Sequence, residues 1–461
     1  MKRFLPLLIA FIFTAVTFLA GCSDGEVNRS EELKEVLQTA RSNLGTALPE
    51  ETCEYEQVSD YLKTWAEGSG VKVEKSAKHY TVLFNPATKG QSKKKTTILQ
   101  CGVRTDSIKS DLNALAMGLT CLLGPNKHDN IRLIVTEIKE GRYIGASSID
   151  SRYLRSTDFI NLSTSRDYSL YVSGAEAAQA VIKTKSKLTA PKYKSAFKLT
   201  LSFDQYADPF RFDKHKNYPD PITVIGNLLA TAKSSGRLFE IASFNSHAKA
   251  GYMPYKATAV IVIDGNNVEG FMKKFDSSFK TMEDRFASLE CEFEYTMEET
   301  DMPDSVLADE TANGLISLMY TLNTGACSQD EDTGLIHAAS YMDSIRTENN
   351  VKVSLQMRAR SIDDLEALST DYETTSGLCN MHYSCTEAHP IWTSSDDQGL
   401  ASYFSNLVPL AEDESNIMLA SSELDRFAAK NKNLNAISYS FVKDASKNTL
   451  RNIINYMDRS E

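Results

Sequence analysis

The stretch Thr96–Ile138, TTILQCGVRTDSIKSDLNALAMGLTCLLGPNKHDNIRLIVTEI, decides the fold. TTILQCGV (96–103) has the apolar, β-branched composition of a strand. LNALAMGLTCLLG (112–124) reads as a helix. IRLIVTEI (131–138) is again a strand, apolar enough to be covered on both faces. Strand, buried helix, strand is the unit of an α/β layer around a central sheet. Upstream, a helical pattern runs from Ser30 to Trp65, broken near Pro49, and Gly68 and Gly70 end it. VKVEKSA (71–77) and HYTVLF (79–84) follow as strands, and DFINLS (158–163) and SLYVSGA (169–175) complete the pattern.

The character changes near Ala190-Pro191. FKLTLSF (197–203), a helix over 221–235, IASFNSH (241–247), KATAVIVID (256–264), a helix from Val268 to about Leu289 and ECEFEYTM (290–297) succeed one another. Strand–helix–strand–strand–helix–strand is the ferredoxin-like order. A helix near 305–321 and strands at 334–342 and 351–361 come next, before a mixed C-terminal stretch. The expected division is a leader over 1–21, a split α/β domain over 22–190 and 371–461, and an inserted α+β domain over 191–370. With 461 residues, 42% hydrophobic, the chain has ample length for two cores. Its 50 basic and 61 acidic residues give a net charge of -11, which argues against nucleic acid as partner.

The first residues address the compartment. Met1-Lys2-Arg3 precedes the apolar run Phe4–Ala20, the layout of a secretory signal peptide and short for a membrane span. Leu19-Ala20-Gly21-Cys22 resembles the bacterial lipobox, which implies acylation of Cys22 and a membrane anchor. Ser23 in place of Asp points to the outer membrane, facing the periplasm or the surface. Seven cysteines remain beyond Cys22, an odd number; Cys379 and Cys385 are spaced to close a small loop, and no CxxC occurs.

The strings YLKTWAEGSGVKVEK, FNPATKG, TTILQ, RLIVTE, FKLTLSF and NNVKVSLQMRARS, in this order, resemble the aminoacyl-histidine dipeptidases. The resemblance spans about Tyr55 to Met457 and implies a zinc-peptidase-like α/β/α domain with a mixed central sheet, split by a ferredoxin-like lid. It also implies two zinc ions held by His and carboxylate ligands, with a Glu as general base. Residue by residue, those ligands are replaced. The His-x-Asp pair falls on Gly102 and Arg104, and a fixed cation repels a metal. The bridging Asp falls on Asp111. The Glu-Glu pair falls on Glu137, which keeps the general-base position, and Ile138, which cannot ligate. Asn-x-Asp becomes Asn161-Leu162-Ser163, and no His follows His389 to supply the last ligand. In the lid, the oxyanion-stabilising Gly-Gly-His aligns with Tyr206-Ala207-Asp208, and the carboxylate-holding Arg-Asn-x-Ile-Pro with Ala250-Gly251-Tyr252-Met253-Pro254.

Asp111 and Glu137 could still share one hard cation, but two carboxylates alone make a weak site, and a salt-bridged role, for instance with Arg104, accounts for them as well. The seven histidines form no metal motif and read as surface or core residues; His247, near the lid pocket, is the candidate ligand contact. Cys101 has no obvious base and reads as a small buried hydrophobe. The expected function is a lipid-anchored, non-catalytic pseudo-peptidase of the bacterial envelope with no cofactor, binding a peptide-like ligand or an envelope protein. A divergent metallo-dipeptidase built on Asp111 and Glu137, and an assembly subunit that dimerises through its lid, are the alternatives.

Overall fold

A computed structural model describes residues 26–49, 51–156, 158–164, 169–204, 210, 220–248, 252–286, 292–394, 399–408, 417–441 and 446–458. The chain forms two compact units: residues 1–174, 391–418 and 422–461 make the first, and residues 175–390 with 419–421 the second.

The first leg of the first unit carries α1 (Glu26–Ala47), α2 (Tyr55–Ser69), β1 (Lys72–Ser76), β2 (Tyr80–Asn85), β3 (Thr96–Arg104), α3 (Leu112–Leu123), β4 (Asn130–Ile138), β5 (Asp158–Thr164) and β6 (Ser169–Tyr171). The second unit follows with β7 (Glu176–Lys185), β8 (Ser195–Phe203), α4 (Pro221–Ser234), β9 (Phe239–His247), β10 (Lys256–Ile263), α5 (Val268–Phe286) and β11 (Phe293–Glu299). It continues with α6 (Asp309–Thr321), β12 (Gly325–Gln329), β13 (Ile336–Arg346), β14 (Asn350–Ala359), α7 (Ile362–Leu378) and β15 (His382–Cys385). The return leg adds α8 (Glu423–Ala428), β16 (Ala436–Phe441) and α9 (Ser446–Met457) to the first unit.

The first unit is built on a mixed seven-stranded sheet in the order β1-β2-β4-β3-β5-β16-β6. Its centre is parallel: β3 pairs parallel with both β4 and β5, and β16 pairs parallel with β5. One face packs on α3, whose residues Ala114 to Leu122 are all buried, as an evenly apolar helix requires. Gly118 lets α3 sit close, since a Cβ there would lie 2.9 Å from both Cys101 Sγ and Leu133 Cδ1. The other face packs Ile98, Ile134 and Phe159 against Leu424 and Phe427 of α8.

In the second unit, β8 to β11 with α4 and α5 realise the expected ferredoxin-like order, as an antiparallel sheet β9-β10-β8-β11. A second sheet runs β12-β13-β14-β7-β15 and shares one apolar core with the first. That second sheet shifts the expected boundaries at 190 and 370. β7 pairs along its full length with β14 and then with β15, so residues 175–190 and 371–390 are integral to the inserted unit. The sequence reading left 176–185 without a strand because its period-2 pattern is diluted by alanines and lysines.

Candidate functional site

Open α/β sheets host ligands beyond the carboxyl ends of their parallel strands, and Gly102, Arg104, Ile138 and Ser163, which the sequence resemblance aligns with metal ligands, lie at those ends. Gly102 lies opposite Thr136, and Arg104 opposite Ile138. Alternation puts Gln100, Gly102, Thr136, Ile138 and Asn161 on the α8 face of the sheet, and Cys101, Val103 and Glu137 on the other.

The space beside Gly102 is filled. A Cβ on Gly102 would lie 2.1 Å from Glu423 Oε2 and 2.6 Å from Ile138 Cδ1. Glu423 opens α8, which Ser422 and Asp425 start with a reciprocal capping box. Its carboxylate accepts hydrogen bonds from Thr136 Oγ1 at 2.5 Å and Gln100 Nε2 at 2.8 Å. Gln100 Oε1 in turn accepts from Asn161 Nδ2, and Ser438 Oγ donates to Asn161 Oδ1 at 2.7 Å. A buried polar chain thus crosses four strands, with each member's hydrogen bonds met by the next. Burial pushes the Glu423 carboxyl up to about 7, against the two hydrogen bonds that favour its ionised form; Asp111 adds to the rise and Arg104 opposes it. Sequence reading missed Glu423, because a residue more than 300 positions away leaves no local signal at Gly102.

Arg104 and Asp111 are brought together, as a salt bridge rather than a metal corner. Asp111 Oδ2 accepts from the Arg104 backbone N–H at 2.8 Å and from Nε at 2.9 Å, and Oδ1 accepts from Nη2 at 2.6 Å. Asp111 stands at the N-cap of α3, yet its side chain makes no cap bond and is given wholly to the arginine. The pair is asymmetric: the Asp111 side chain is 5% exposed and that of Arg104 41%. The hydrogen bonds from Asp111 hold the guanidinium pKa above its ordinary value.

Glu137 faces elsewhere. Its Oε2 lies 2.6 Å from His79 Nδ1, and Thr105 Oγ1 donates to Oε1 at 3.1 Å. The strand end and the β1–β2 turn are pinned at the same point, where the Glu137 N–H donates to His79 O. Gly145 makes this possible, since a Cβ there would lie 2.4 Å from His79 O and 2.5 Å from Glu137 N. His79, read from sequence as an ordinary surface or core residue, is therefore the partner of the retained general-base position. Ser163 pairs with Ser440 at 2.7 Å.

A pair of zinc ions needs His, Cys or carboxylate atoms converging at about 2.0–2.2 Å. The residues present do not fit that need. Among the described residues no three His, Cys, Asp or Glu side chains are grouped to hold a metal. The Gly102 space is occupied, Asp111 is committed to a cation, and Glu137 is on the opposite face from Gly102 and Ile138.

In the second unit His247 ends β9, exposed, with its pKa lowered by partial burial and by Arg346, Lys256 and Lys198. Cys101 is fully buried and its thiol donates to Ala114 O at 3.2 Å; burial pushes its pKa well up. Cys379 and Cys385 are both free, one buried and one exposed. Cys22, Tyr206-Ala207-Asp208, Ala250 and Gly251 lie outside the described residues. No helix among the described residues is long and apolar enough to cross a membrane.

No family model matches the chain, and no curated protein does. Solved structures do. The aminoacylhistidine dipeptidase of Vibrio alginolyticus has a TM-score of 0.49 at 17% identity, over 92% of this chain and 94% of that one. The aminopeptidase PepT of Bacillus cereus has a TM-score of 0.45 at 11% identity, over 92% and 98%. A dinuclear metal binding peptidase of the M20 family from Bacillus subtilis has 0.37 at 8% identity, over 93% and 99%. The solved structures to which this chain is similar thus include M20-family peptidases, aminoacylhistidine dipeptidase among them, at low sequence identity.

Proposed function

We propose that this chain is a non-catalytic, peptidase-like binding protein of a bacterial cell envelope, anchored in the outer membrane by lipid on Cys22. Its partner is a peptide-like ligand or another envelope protein. One observation carries the reading: the carboxylate of Glu423, hydrogen-bonded to Thr136 and Gln100, fills the space that a ligand side chain at position 102 would need. The resemblance in sequence suggests the scaffold, and the occupied strand ends speak against the metal chemistry that the resemblance implies. The Arg104–Asp111 salt bridge counts against the divergent metallo-dipeptidase, because it neutralises one of the two carboxylates that reading depends on.

The test is metal analysis of the purified protein after incubation with zinc, paired with hydrolysis of a dipeptide panel that includes Xaa-His. The expected result is substoichiometric metal and no turnover. Near-stoichiometric zinc with turnover lost in Glu137→Gln overturns the reading. Metabolic labelling with palmitate tests the anchor: incorporation that disappears in Cys22→Ala supports it, and an unlabelled parent protein removes it.

A further inference from the structure

The exposed face of the second unit's β12–β15 sheet carries a row of basic side chains. Register places Arg346 on β13 directly opposite Lys352 on β14, Lys352 opposite Lys183 on β7, and Lys183 opposite His382 on β15. Directly opposed residues of antiparallel strands share a face, so the four project together across three strand spacings, about 14 Å. All four are exposed. The alternate positions of β14, Val351, Val353 and Leu355, are buried in the core with Leu365 and Leu368 of α7, which fixes the basic row on the outer side.

Like charges directly opposed destabilise a sheet, and this row sets three such neighbours side by side in a protein whose net charge is -11. Among the described residues none of the four enters an ion pair; the Arg346 guanidinium donates to the backbone oxygen of Ser246. The carboxylate within electrostatic range of Lys352 is that of Asp343, half-buried at the β13 bulge, where burial raises its pKa and Lys352 opposes the rise. The adjoining row supplies hydroxyls, with Ser344 opposite Ser354, and Ser354 and Ser384 both opposite Val181.

We propose that the row Arg346–Lys352–Lys183–His382 is a binding strip for a linear phosphate polyanion that lacks nucleobases. Three fixed cations in line, Arg346, Lys352 and Lys183, with the His382 imidazole as a further hydrogen-bonding group, match a chain of charges rather than a single anion. The flanking hydroxyls add donors, which suit phosphate groups with several acceptor oxygens each. Apart from the small His382 imidazole, the row offers no ring for bases to stack on, and no series of rings for successive bases. This reading is independent of whether the strand ends of the first unit are catalytic.

The experiment is fluorescence anisotropy of the full chain with labelled short-chain inorganic polyphosphate at several salt concentrations. Single-stranded DNA, poly-glutamate and orthophosphate serve as competitors. Binding should weaken with salt with a log–log slope near −2, as expected for about three neutralised charges at about 0.7 each. Lys183→Ser/Lys352→Ser should bind at least about tenfold more weakly and cut that slope to about a third, with a melting temperature equal to or above the parent's. If the serine pair melts early, Lys183→Gln alone, with a slope reduced by about 0.7, decides in its place. Salt-insensitive or undetectable polyphosphate binding overturns the proposal. So do unchanged affinity in a folded variant, and displacement by poly-glutamate, DNA or orthophosphate as effective as by polyphosphate itself.

Discussion

The strand ends of the first unit and the outer sheet face of the second treat charge in opposite ways. At the strand ends, Glu423, Thr136, Gln100, Asn161 and Ser438 are buried and satisfy one another, and each fixed charge nearby has its own partner. On the sheet face, Arg346, Lys352 and Lys183 are exposed, directly opposed and repel one another. A buried polar network rigidifies a fold and leaves little for a ligand to gain, whereas an unrelieved like-charge row lowers its energy when a counter-charge arrives. Buried charge at the strand ends is satisfied from within the fold, and charge on the sheet face is left open to solvent.

The sharpest way to break the comparison is to ask for the missing ligand. Gly102→His should destabilise the fold by more than about 3 kcal/mol in urea denaturation, because its Cβ meets Glu423 at van der Waals overlap. Gly102→His/Glu423→Ala should recover part of that loss. A stable Gly102→His protein that takes up stoichiometric zinc would show that the strand ends are open after all.

Next in size is the proton on Glu423. Its folded-state pKa of about 7 lies above the ordinary carboxylate value, so the native state holds the proton more tightly than the unfolded chain. Stability should therefore be greatest below about pH 4.5 as far as this group is concerned. It should fall by roughly 3 kcal/mol as pH rises to about 7, at 1.36 kcal/mol per unit. Glu423→Gln keeps the shape and should flatten that segment of the profile; a parent protein with no such slope denies the buried carboxylate. Asp111→Asn comes third, at about 2 kcal/mol, since it weakens two hydrogen bonds from a half-exposed guanidinium and one from the Arg104 backbone N–H. Equal melting temperatures would mean that Arg104 finds solvent as good a partner. The smallest effect belongs to the sheet face: Lys352→Gln should stabilise by about 0.5 kcal/mol at low salt and by less at high salt. A loss of stability instead would mean that Asp343 gains more from Lys352 than the row loses.

Much of the fold was legible because it rests on local periodicity. The buried helix 112–123 and the strands flanking it follow from runs of apolar residues, and the ferredoxin-like order of the second unit follows from the succession of elements. β7 was missed because its alanines and lysines blur the alternation, and with it went the second sheet and the true limits of the insertion. At the candidate site, the sequence resemblance singled out Gly102, Arg104 and Ile138. It could not identify what stood in their stead. Glu423 and His79 act across 323 and 58 residues of chain, and contacts at such separations are written in no spacing.

The parallel pairing of β16 with β5 bears on how the protein is made. Partners such as Ser163 and Ser440 are 277 residues apart. At about 5–20 residues per second a ribosome needs roughly 15–55 s to emit that interval. During that time the inserted unit can fold on its own core, while β5 waits with an unpaired, apolar edge. The first unit closes only after the last strand emerges, so its exposed edge is the window in which a chaperone or an aggregate would find this chain.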